Sequence, residues 1–276
     1  MNFNLVFLKK FIKKVIFSCF GLIFLNYKGI KIIALHDFNY SHEEIKTFMD
    51  YLNSNYNLAK INKNKLFFEK SKKPKLLLTA DDGFADWIQF SNLLKFNFQH
   101  VGLICFIPAC LYFYTENKKH ELLRKTLHRK SESLRLLSSC ELNDLSSYSN
   151  IWIASHGYEH ENFSLLDKDE TLQVLEKSKK IFINHNIKNY KSHFFCLPYG
   201  TKKFFPAEMN GFVKSLNKLS FNVCFLFERK ITNTFPGLLL LPRCGIDPNL
   251  SKLEIQGRLN STQVVRERSF EDFIYC

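Results

Sequence analysis

Two adjacent carboxylates and one pair of histidines are the side chains of this sequence that could do chemistry together. Asp81 and Asp82 follow an apolar run and precede a glycine, and His156 and His160 stand four residues apart. One carboxylate and two imidazoles can hold a divalent metal ion, and a second carboxylate beside them can act as a base. These four side chains are the parts of a metal-assisted hydrolase.

Each of these motifs, taken alone, also has an ordinary structural explanation. An Asp-Asp-Gly sequence is common in turns. Nine histidines in 276 residues give roughly 0.3 pairs at this spacing by chance. Buried, hydrogen-bonded imidazoles would explain such a pair as well as a metal site does. The position of the motifs relative to the predicted strands must therefore decide between the two explanations.

Apolar runs of strand length alternate with helical segments along the chain. This pattern is typical of parallel strands that are covered on both faces, and it predicts an α/β fold. Strands are predicted over residues 29–37, 75–79, 100–108, 151–154, 194–197, 221–227 and 238–241. Helices are predicted over 41–53, 84–96, 167–183 and 209–219, and 112–150 is a polar, mostly helical elaboration of one connection. Ser41 with Glu44, and Asp167 with Glu170, form capping-box patterns at two helix starts.

Polar residues directly follow four of the predicted strands. They are His36, the Asp81-Asp82 pair, His156 and the Pro198-Tyr199 pair. In barrels and open α/β sheets, reactive groups collect at the C-terminal ends of the strands. The placement of these residues therefore favours a functional site over unrelated turns and caps.

The first 28 residues differ in character from the rest. Four lysines, at positions 9, 10, 13 and 14, precede an apolar run over 15–25, which is shorter than the roughly 20 residues needed to span a bilayer. No small-residue cleavage site follows the run, although its basic flank is similar to that of a signal peptide. We predict a membrane-associating amphipathic segment over 1–28, at the cytoplasmic face, and export to the cell envelope is the alternative. Residues 29–276 are predicted to form one domain.

The net charge and the cysteine content limit which binding partners and which cellular compartment are expected for this protein. The formal net charge of +13 favours anionic partners. No RNP-like strand, zinc-finger spacing or helix-turn-helix signal is present, so nucleic acid is not an expected partner. The eight cysteines are scattered without a CxxC pair and are predicted to be reduced, mostly buried thiols, which suits a cytosol-facing protein.

Five short motifs resemble those of one enzyme family, the polysaccharide deacetylases with NodB homology (carbohydrate esterase family 4). Thr79-Ala80-Asp81-Asp82-Gly83 resembles their T-F-D-D-G motif, and His156-Gly157-Tyr158-Glu159-His160 resembles H-[ST]-x-x-H. The third motif, F-x-Y-P-Y-G, is similar to Phe194-Phe195-Cys196-Leu197-Pro198-Tyr199-Gly200. Leu35-His36-Asp37 resembles the histidine motif that closes the site and precedes the Asp-Asp motif, as in the permuted poly-N-acetylglucosamine deacetylase-like members. Leu241-Pro242-Arg243-Cys244-Gly245-Ile246-Asp247 is also similar to a segment of that branch.

The resemblance covers nearly the whole predicted domain and implies a distorted (β/α)7 barrel that removes the N-acetyl group of an N-acetylhexosamine. It implies that Asp82, His156 and His160 bind a divalent metal ion, with zinc as the expected metal. Asp81 would then take the proton of the attacking water, and His36 would donate a proton to the departing amine.

On the substrate side, the resemblance implies roles for Pro198 and Tyr199. The backbone N–H of Tyr199 would stabilise the oxyanion together with the metal.

Three departures from the motifs bear on these expectations. Ala80 stands where the family has an aromatic residue, and Gly157 stands where it has Ser or Thr, which removes a hydroxyl that could orient the loop. The third motif also lacks the arginine of its R-x-P-[FY] form, which would orient Asp81. Arg243 is a candidate for that task because it follows a predicted strand, but an arginine on the surface or at the edge of the core explains it equally well.

The expected function is metal-dependent N-deacetylation of an envelope polysaccharide or a lipid-linked glycan at the membrane. The alternative from another class is a catalytically inactive, carbohydrate-binding barrel at the membrane. A basic scaffold without enzymatic activity is a third interpretation, which depends on the charge alone.

Overall fold

In a computed structural model, the described residues are 29–36, 40–99, 101–125, 127, 134–231, 234–267 and 270, with 12, 15 and 16. The predicted membrane-associating segment over 1–28 therefore lies almost entirely outside the described residues. Ile12, Val15 and Ile16, which belong to it, are helical and exposed. No helix within the described part of the chain combines the length and the apolar composition that crossing a bilayer requires.

Eleven strands are present in the described residues. They are β1 (Ile30–Leu35), β2 (Asn57–Leu58), β3 (Lys60–Asn62), β4 (Lys65–Phe67), β5 (Lys75–Ala80), β6 (Leu103–Ile107), β7 (Ile151–Ser155), β8 (Tyr190–Cys196), β9 (Val223–Leu226), β10 (Leu239–Pro242) and β11 (Cys244–Gly245). All of the predicted strands are present, and several are shorter than predicted. The antiparallel β3–β4 hairpin was not predicted from the sequence.

The large sheet is parallel throughout and has the order β10-β9-β8-β7-β6-β5-β1-β11, with β2 beside β5. Only Arg243 separates β10 from β11 along the chain. One extended segment, 239–245, therefore pairs with β9 through its first half and with β1 through its second half. Seven strand positions thus form a ring, which confirms the predicted distorted (β/α)7 barrel.

Seven helices cover the barrel in the described part of the chain: α1 (His42–Asn55), α2 (Trp87–Asn97), α3 (Glu116–Lys125), α4 (Ser139–Ser147), α5 (Lys168–Asn184), α6 (Met209–Lys218) and α7 (Lys252–Asn260). Both predicted capping boxes are confirmed, at the starts of α1 and α5. The predicted helix over 84–96 begins later, at Trp87, because the residues before it form the turn after β5 and Phe84 bridges to Leu136. Helix α7 was not predicted.

The strands are buried on both faces, which explains their uninterrupted apolar runs. One buried cluster takes alternate residues from every strand of the ring and fills the barrel interior; examples are Ile32, Ile104, Trp152 and Phe225. The residues between them, such as Ile33 and Leu35 of β1, pack against the helices. Ile61 and Leu66 of the hairpin join the interior cluster, so the hairpin covers the N-terminal end of the barrel. The opposite end, where the strands finish, carries the polar residues.

Candidate active site

The strand ends bring most of the predicted site residues to one cleft of about 300 Å³. Its polar wall consists of His36, Asp81, Asp82, His156, His160, Tyr199 and Arg243, and its apolar wall consists of Leu127, Leu197, Phe204 and Phe227, with Thr201 beside them. Pro198 is buried next to Gly157 and does not line the cleft. Asp37, the last residue of the predicted histidine motif, lies outside the described residues.

Asp82, His156 and His160 point ligand atoms at one another. The Asp82 Oδ1 atom lies 3.4 Å from His156 Nε2 and 3.3 Å from His160 Nε2, and all three side chains are buried. Metal–ligand bonds of 2.0–2.1 Å in a tetrahedral zinc site separate neighbouring ligand atoms by about 3.3–3.4 Å. The three residues therefore fit a zinc-sized ion in both ligand type and spacing. Asp82 and His160 also have positive φ angles, of 74° and 58°, which is uncommon for residues other than glycine.

The two imidazoles are held differently. The Nδ1 atom of His156 lies 2.9 Å from the Cys196 carbonyl oxygen, which can only accept, so Nδ1 donates and Nε2 is left facing Asp82. The Nδ1 atom of His160 is buried and has no hydrogen-bond partner among the described residues. Burial lowers the pKa of His160 to about 3, which keeps its ring neutral. Burial also acts to lower the pKa of His156. Its interactions with Cys196 and Asp82 have a larger combined effect in the opposite direction, so the pKa of this imidazole is raised.

Asp81 forms a buried ion pair with Arg243. Two guanidinium nitrogens donate to the two carboxylate oxygens, each at 2.8 Å, and only 1% of Arg243 is exposed. The guanidinium also donates to Thr79 Oγ1 at 2.7 Å and lies 2.8 Å from Cys196 Sγ. Burial alone would raise the pKa of Asp81, but Arg243, together with His156 and His36, more than offsets this, so the pKa is lowered and the carboxylate stays ionised. Arg243 is thus not a surface residue, and it contacts the carboxylate that the sequence analysis suggested.

His36 lies at the open side of the cleft. Its Nε2 atom is 4.0 Å from Asp81 Oδ2, and its ring meets Phe227 edge-on with centroids 5.4 Å apart. Its side chain is 28% exposed, so solvent and substrate can reach it. The cleft therefore places an accessible imidazole next to the Asp81 carboxylate, and both line the same cleft as the Asp82-centred cluster.

Tyr199 and Phe204 form an aromatic wall on the other side. Their rings stack with centroids 4.5 Å apart at 26°, and the Tyr199 ring meets His160 edge-on at 4.5 Å. Tyr199 has a φ of 60°, which sharply turns the chain after β8. Phe204 was not among the predicted site residues, because no motif marks it and only the fold brings it to the cleft.

Sequence reasoning also missed Cys196. This residue stands two positions before Pro198, where the R-x-P-[FY] form has its arginine, and its thiol instead contacts the Arg243 guanidinium. Asp81, His156 and Cys196 also bring ligand atoms within 4.8 Å of one another. Because Arg243 already occupies both oxygens of Asp81 and lies against the thiol, a second cation there would meet a fixed positive charge. Of these two groups, the Asp82 cluster is therefore the one that could hold a metal ion.

Three solved structures share this fold. IcaB from Ammonifex degensii is 15% identical, with a TM-score of 0.58 over 86% of this chain and 100% of its own. The Streptococcus pyogenes deacetylase PplD, solved in complex with acetate, is 15% identical, with a TM-score of 0.55 over 84% of this chain and 97% of its own. The BpsB deacetylase domain from Bordetella bronchiseptica is 14% identical, with a TM-score of 0.54 over 79% of this chain and 96% of its own.

No family model matches the sequence, and no curated protein matches it either. The three structures show the fold: the chain has the barrel of the NodB-type polysaccharide deacetylases, as its motifs predicted.

Proposed function

We propose that this chain is a metal-dependent hydrolase that removes the N-acetyl group of an N-acetylhexosamine in a glycan. One observation carries the proposal: the Asp82-His156-His160 cluster lies directly beside a carboxylate, Asp81, that Arg243 holds by two hydrogen bonds. Two unlike carboxylates on consecutive residues suit two unlike tasks, one on a metal and one on a water molecule. The deacetylase structures that share the fold support the same reaction.

Asp82, His156 and His160 would hold the metal, and zinc is the ion that their ligand atoms suit best. When bound, such an ion makes water more acidic and polarises the amide carbonyl. Asp81 takes a proton from the water as its oxygen attacks the carbonyl carbon, and Arg243 keeps the accepting oxygens in place. Protonated His36, on the exposed side, donates its proton to the amide nitrogen as the C–N bond breaks. Acetate and the free amine of the sugar are released.

The aromatic wall contributes to binding and to the oxyanion. We assign the backbone N–H of Tyr199 to the oxyanion, while the stacked rings of Tyr199 and Phe204 offer an apolar face to the sugar and its acetyl methyl group. Pro198 contributes indirectly, since it is buried beneath the turn that carries Tyr199.

Acetate release tests this proposal and separates it from the inactive alternative. We expect the purified chain to contain about one zinc per molecule, and to release acetate from N-acetylglucosamine oligomers. Dialysis against a chelator should abolish release, and added Zn²⁺ should restore it. The Asp82→Asn variant should contain no metal and release no acetate. Binding of the oligomers without acetate release, at full zinc occupancy, would instead identify a carbohydrate-binding barrel.

We further propose that the N-terminal end of the barrel faces an anionic membrane, at the cytoplasmic side. Seven lysines and one glutamate lie between residues 57 and 75, around the hairpin that covers this end of the barrel. The glutamate, Glu69, forms an ion pair with Lys60. Lys63 and Lys65 are exposed at the hairpin turn. The 1–28 segment joins the barrel at this same end, because Ile30 pairs with Lys75 at the starts of β1 and β5.

Two further features support a cytoplasmic membrane surface. Ile12, Val15 and Ile16 have the spacing of one helix face and are exposed, as in a helix that lies in a membrane interface. The six cysteines that the structure describes are all free, which suits a reducing compartment. In this orientation the catalytic cleft points away from the bilayer, toward a glycan that extends from its surface.

Vesicle binding tests the orientation. We expect the Lys63→Gln/Lys65→Gln variant to partition onto phosphatidylglycerol-containing vesicles about 30-fold more weakly than the wild type, since each lysine near an anionic surface contributes about 1 kcal/mol. Lys118→Gln/Lys168→Gln removes the same charge near the catalytic end and should bind like the wild type. Equal losses in both double variants would show that net charge alone, and not this face, drives binding.

A further inference from the structure

The loop between the two metal-site histidines is fixed from its outer side by a short helix. The 3₁₀ helix over Ala109–Tyr112 directs two backbone N–H groups at the loop. Ala109 donates to the Gly157 carbonyl at 3.1 Å, and Cys110 donates to the Tyr158 carbonyl at 2.9 Å. These bonds satisfy the carbonyl groups of Gly157 and Tyr158, whereas the N–H groups of Tyr158 and Glu159 are bound from the other side.

Glu161 binds those N–H groups with one carboxylate. Its Oε2 accepts from the Tyr158 N–H at 2.9 Å, and its Oε1 accepts from the Glu159 N–H at 2.7 Å. The neighbouring Glu159 is exposed and points elsewhere, since its carboxylate accepts from the Tyr114 hydroxyl. The loop is therefore clamped between a helix start and the carboxylate of Glu161.

The same carboxylate occupies the space that a side chain at position 157 would need. Gly157 has a φ of 80°, and a Cβ atom built on it would overlap Glu161 Oε2. The H-[ST]-x-x-H motif has a hydroxyl-bearing side chain at this position, which this chain lacks. A side chain at 157 would therefore force the carboxylate of Glu161 to move from its present position.

We propose that Glu161 is a positioning residue that replaces the missing hydroxyl and aims His160 at the metal. His156 has its own support, because its Nδ1 is bonded to the Cys196 carbonyl. His160 has no comparable bond within the described structure, so its ring direction depends on the backbone turn that places it at a φ of 58°. That turn directly follows the two N–H groups that Glu161 holds. The inference rests on the metal-binding part of the proposed function.

Zinc affinity measures this role without any substrate. Zn²⁺ binding to the full-length chain is followed by competition with a chromophoric chelator. We expect the Kd for Zn²⁺ to rise about 10–100-fold in Glu161→Ala, the usual range when a residue supporting a metal ligand is lost. Glu161→Gln keeps one acceptor oxygen and should show a smaller rise. Glu159→Gln, the matched control on the same loop, should stay within about twofold of the wild type.

A double-variant cycle separates positioning of the loop from general destabilisation. Gly157→Ala should weaken Zn²⁺ binding by displacing the carboxylate of Glu161. In the Glu161→Ala background the same change has no carboxylate to displace, so the double variant should bind about as well as Glu161→Ala, apart from the few-fold effect of an alanine at positive φ. Multiplicative losses would show that the two positions act independently and would overturn the inference.

Two outcomes distinguish this inference from the proposed function. If the wild type binds Zn²⁺ and both Glu161 variants bind it with the same Kd, the positioning role is contradicted and the proposed function is left intact. Failure of the wild type itself to bind Zn²⁺ contradicts the proposed function. The thermal unfolding midpoints of the metal-free proteins are measured as well. Similar midpoints for Glu161→Gln and the wild type would show that the change in Kd comes from the loop and not from a loss of overall stability.

Discussion

Replacing Asp81 with asparagine is expected to lower kcat for N-acetyl hydrolysis by about 10²–10⁴-fold while the metal content stays at the wild-type value. An asparagine amide has the shape of the carboxylate but cannot accept the proton of the attacking water. The metal should remain because Asp82, and not Asp81, approaches both histidines at 3.3–3.4 Å.

The adjacent residue provides the matched control for this variant. Asp82→Asn makes the same chemical change one position away and should lose the metal, whereas Asp81→Asn should keep it. Metal analysis and acetate release on both variants are sufficient. If Asp81→Asn kept more than about one-tenth of the wild-type kcat, the loss would be too small for Asp81 to be the general base. Loss of metal from Asp81→Asn would make Asp81 a ligand.

Removing the charge of Arg243 should produce the largest loss of stability. We expect the Arg243→Met variant to have a free energy of unfolding about 3–5 kcal/mol lower than the wild type, because it leaves the Asp81 carboxylate buried without its partner. The Arg243→Met variant should also have a lower kcat, because the two hydrogen bonds that orient Asp81 are lost. Urea unfolding followed by circular dichroism measures the change.

Two comparisons make this prediction specific to the buried pair. Arg135 and Glu141 form a similar two-bond contact, at 2.7 and 2.5 Å, but the arginine side chain is 54% exposed, so Arg135→Met should cost only about 0–1 kcal/mol. The double variant Asp81→Asn/Arg243→Met contains neither charge and should be about 1–3 kcal/mol more stable than Arg243→Met, while it stays inactive. Equal losses at Arg135 and Arg243 would contradict the assignment of the effect to burial.

The sequence was sufficient to predict the barrel and the grouping of Asp82, His156 and His160 at its carboxyl end. Apolar runs of strand length that alternate with helical segments indicated strands buried on both faces, and the polar residues after them were expected to meet at the carboxyl ends of a parallel sheet. The capping boxes at Ser41 and Asp167 were equally local signals and were confirmed. Helix α7 carries the same signal at Ser251 and Glu254 and could have been predicted.

Other features depend on contacts between distant parts of the chain. The strands of the β3–β4 hairpin are three residues each and are stabilised by inserting Ile61 and Leu66 into the barrel, so no local pattern marks them. The role of Glu161 becomes visible only once the dihedral angles of the loop are known. The position of Arg243 could be suspected because it follows a strand, but its contact with Asp81 requires the closure of the ring.

The segment at residues 239–245, which joins β9 to β1, has a consequence for the order in which the parts of the site come together. A ribosome adds Arg243 after every other residue of the site. Until β10 and β11 are made, the ring is open between β9 and β1, and Asp81 lacks its guanidinium partner. Asp82, His156 and His160 are thus all synthesised before the arginine that orients Asp81. The proposed hydrolysis would therefore have to wait for the last strand to close the barrel, because only then does Asp81 have both of its hydrogen bonds from Arg243.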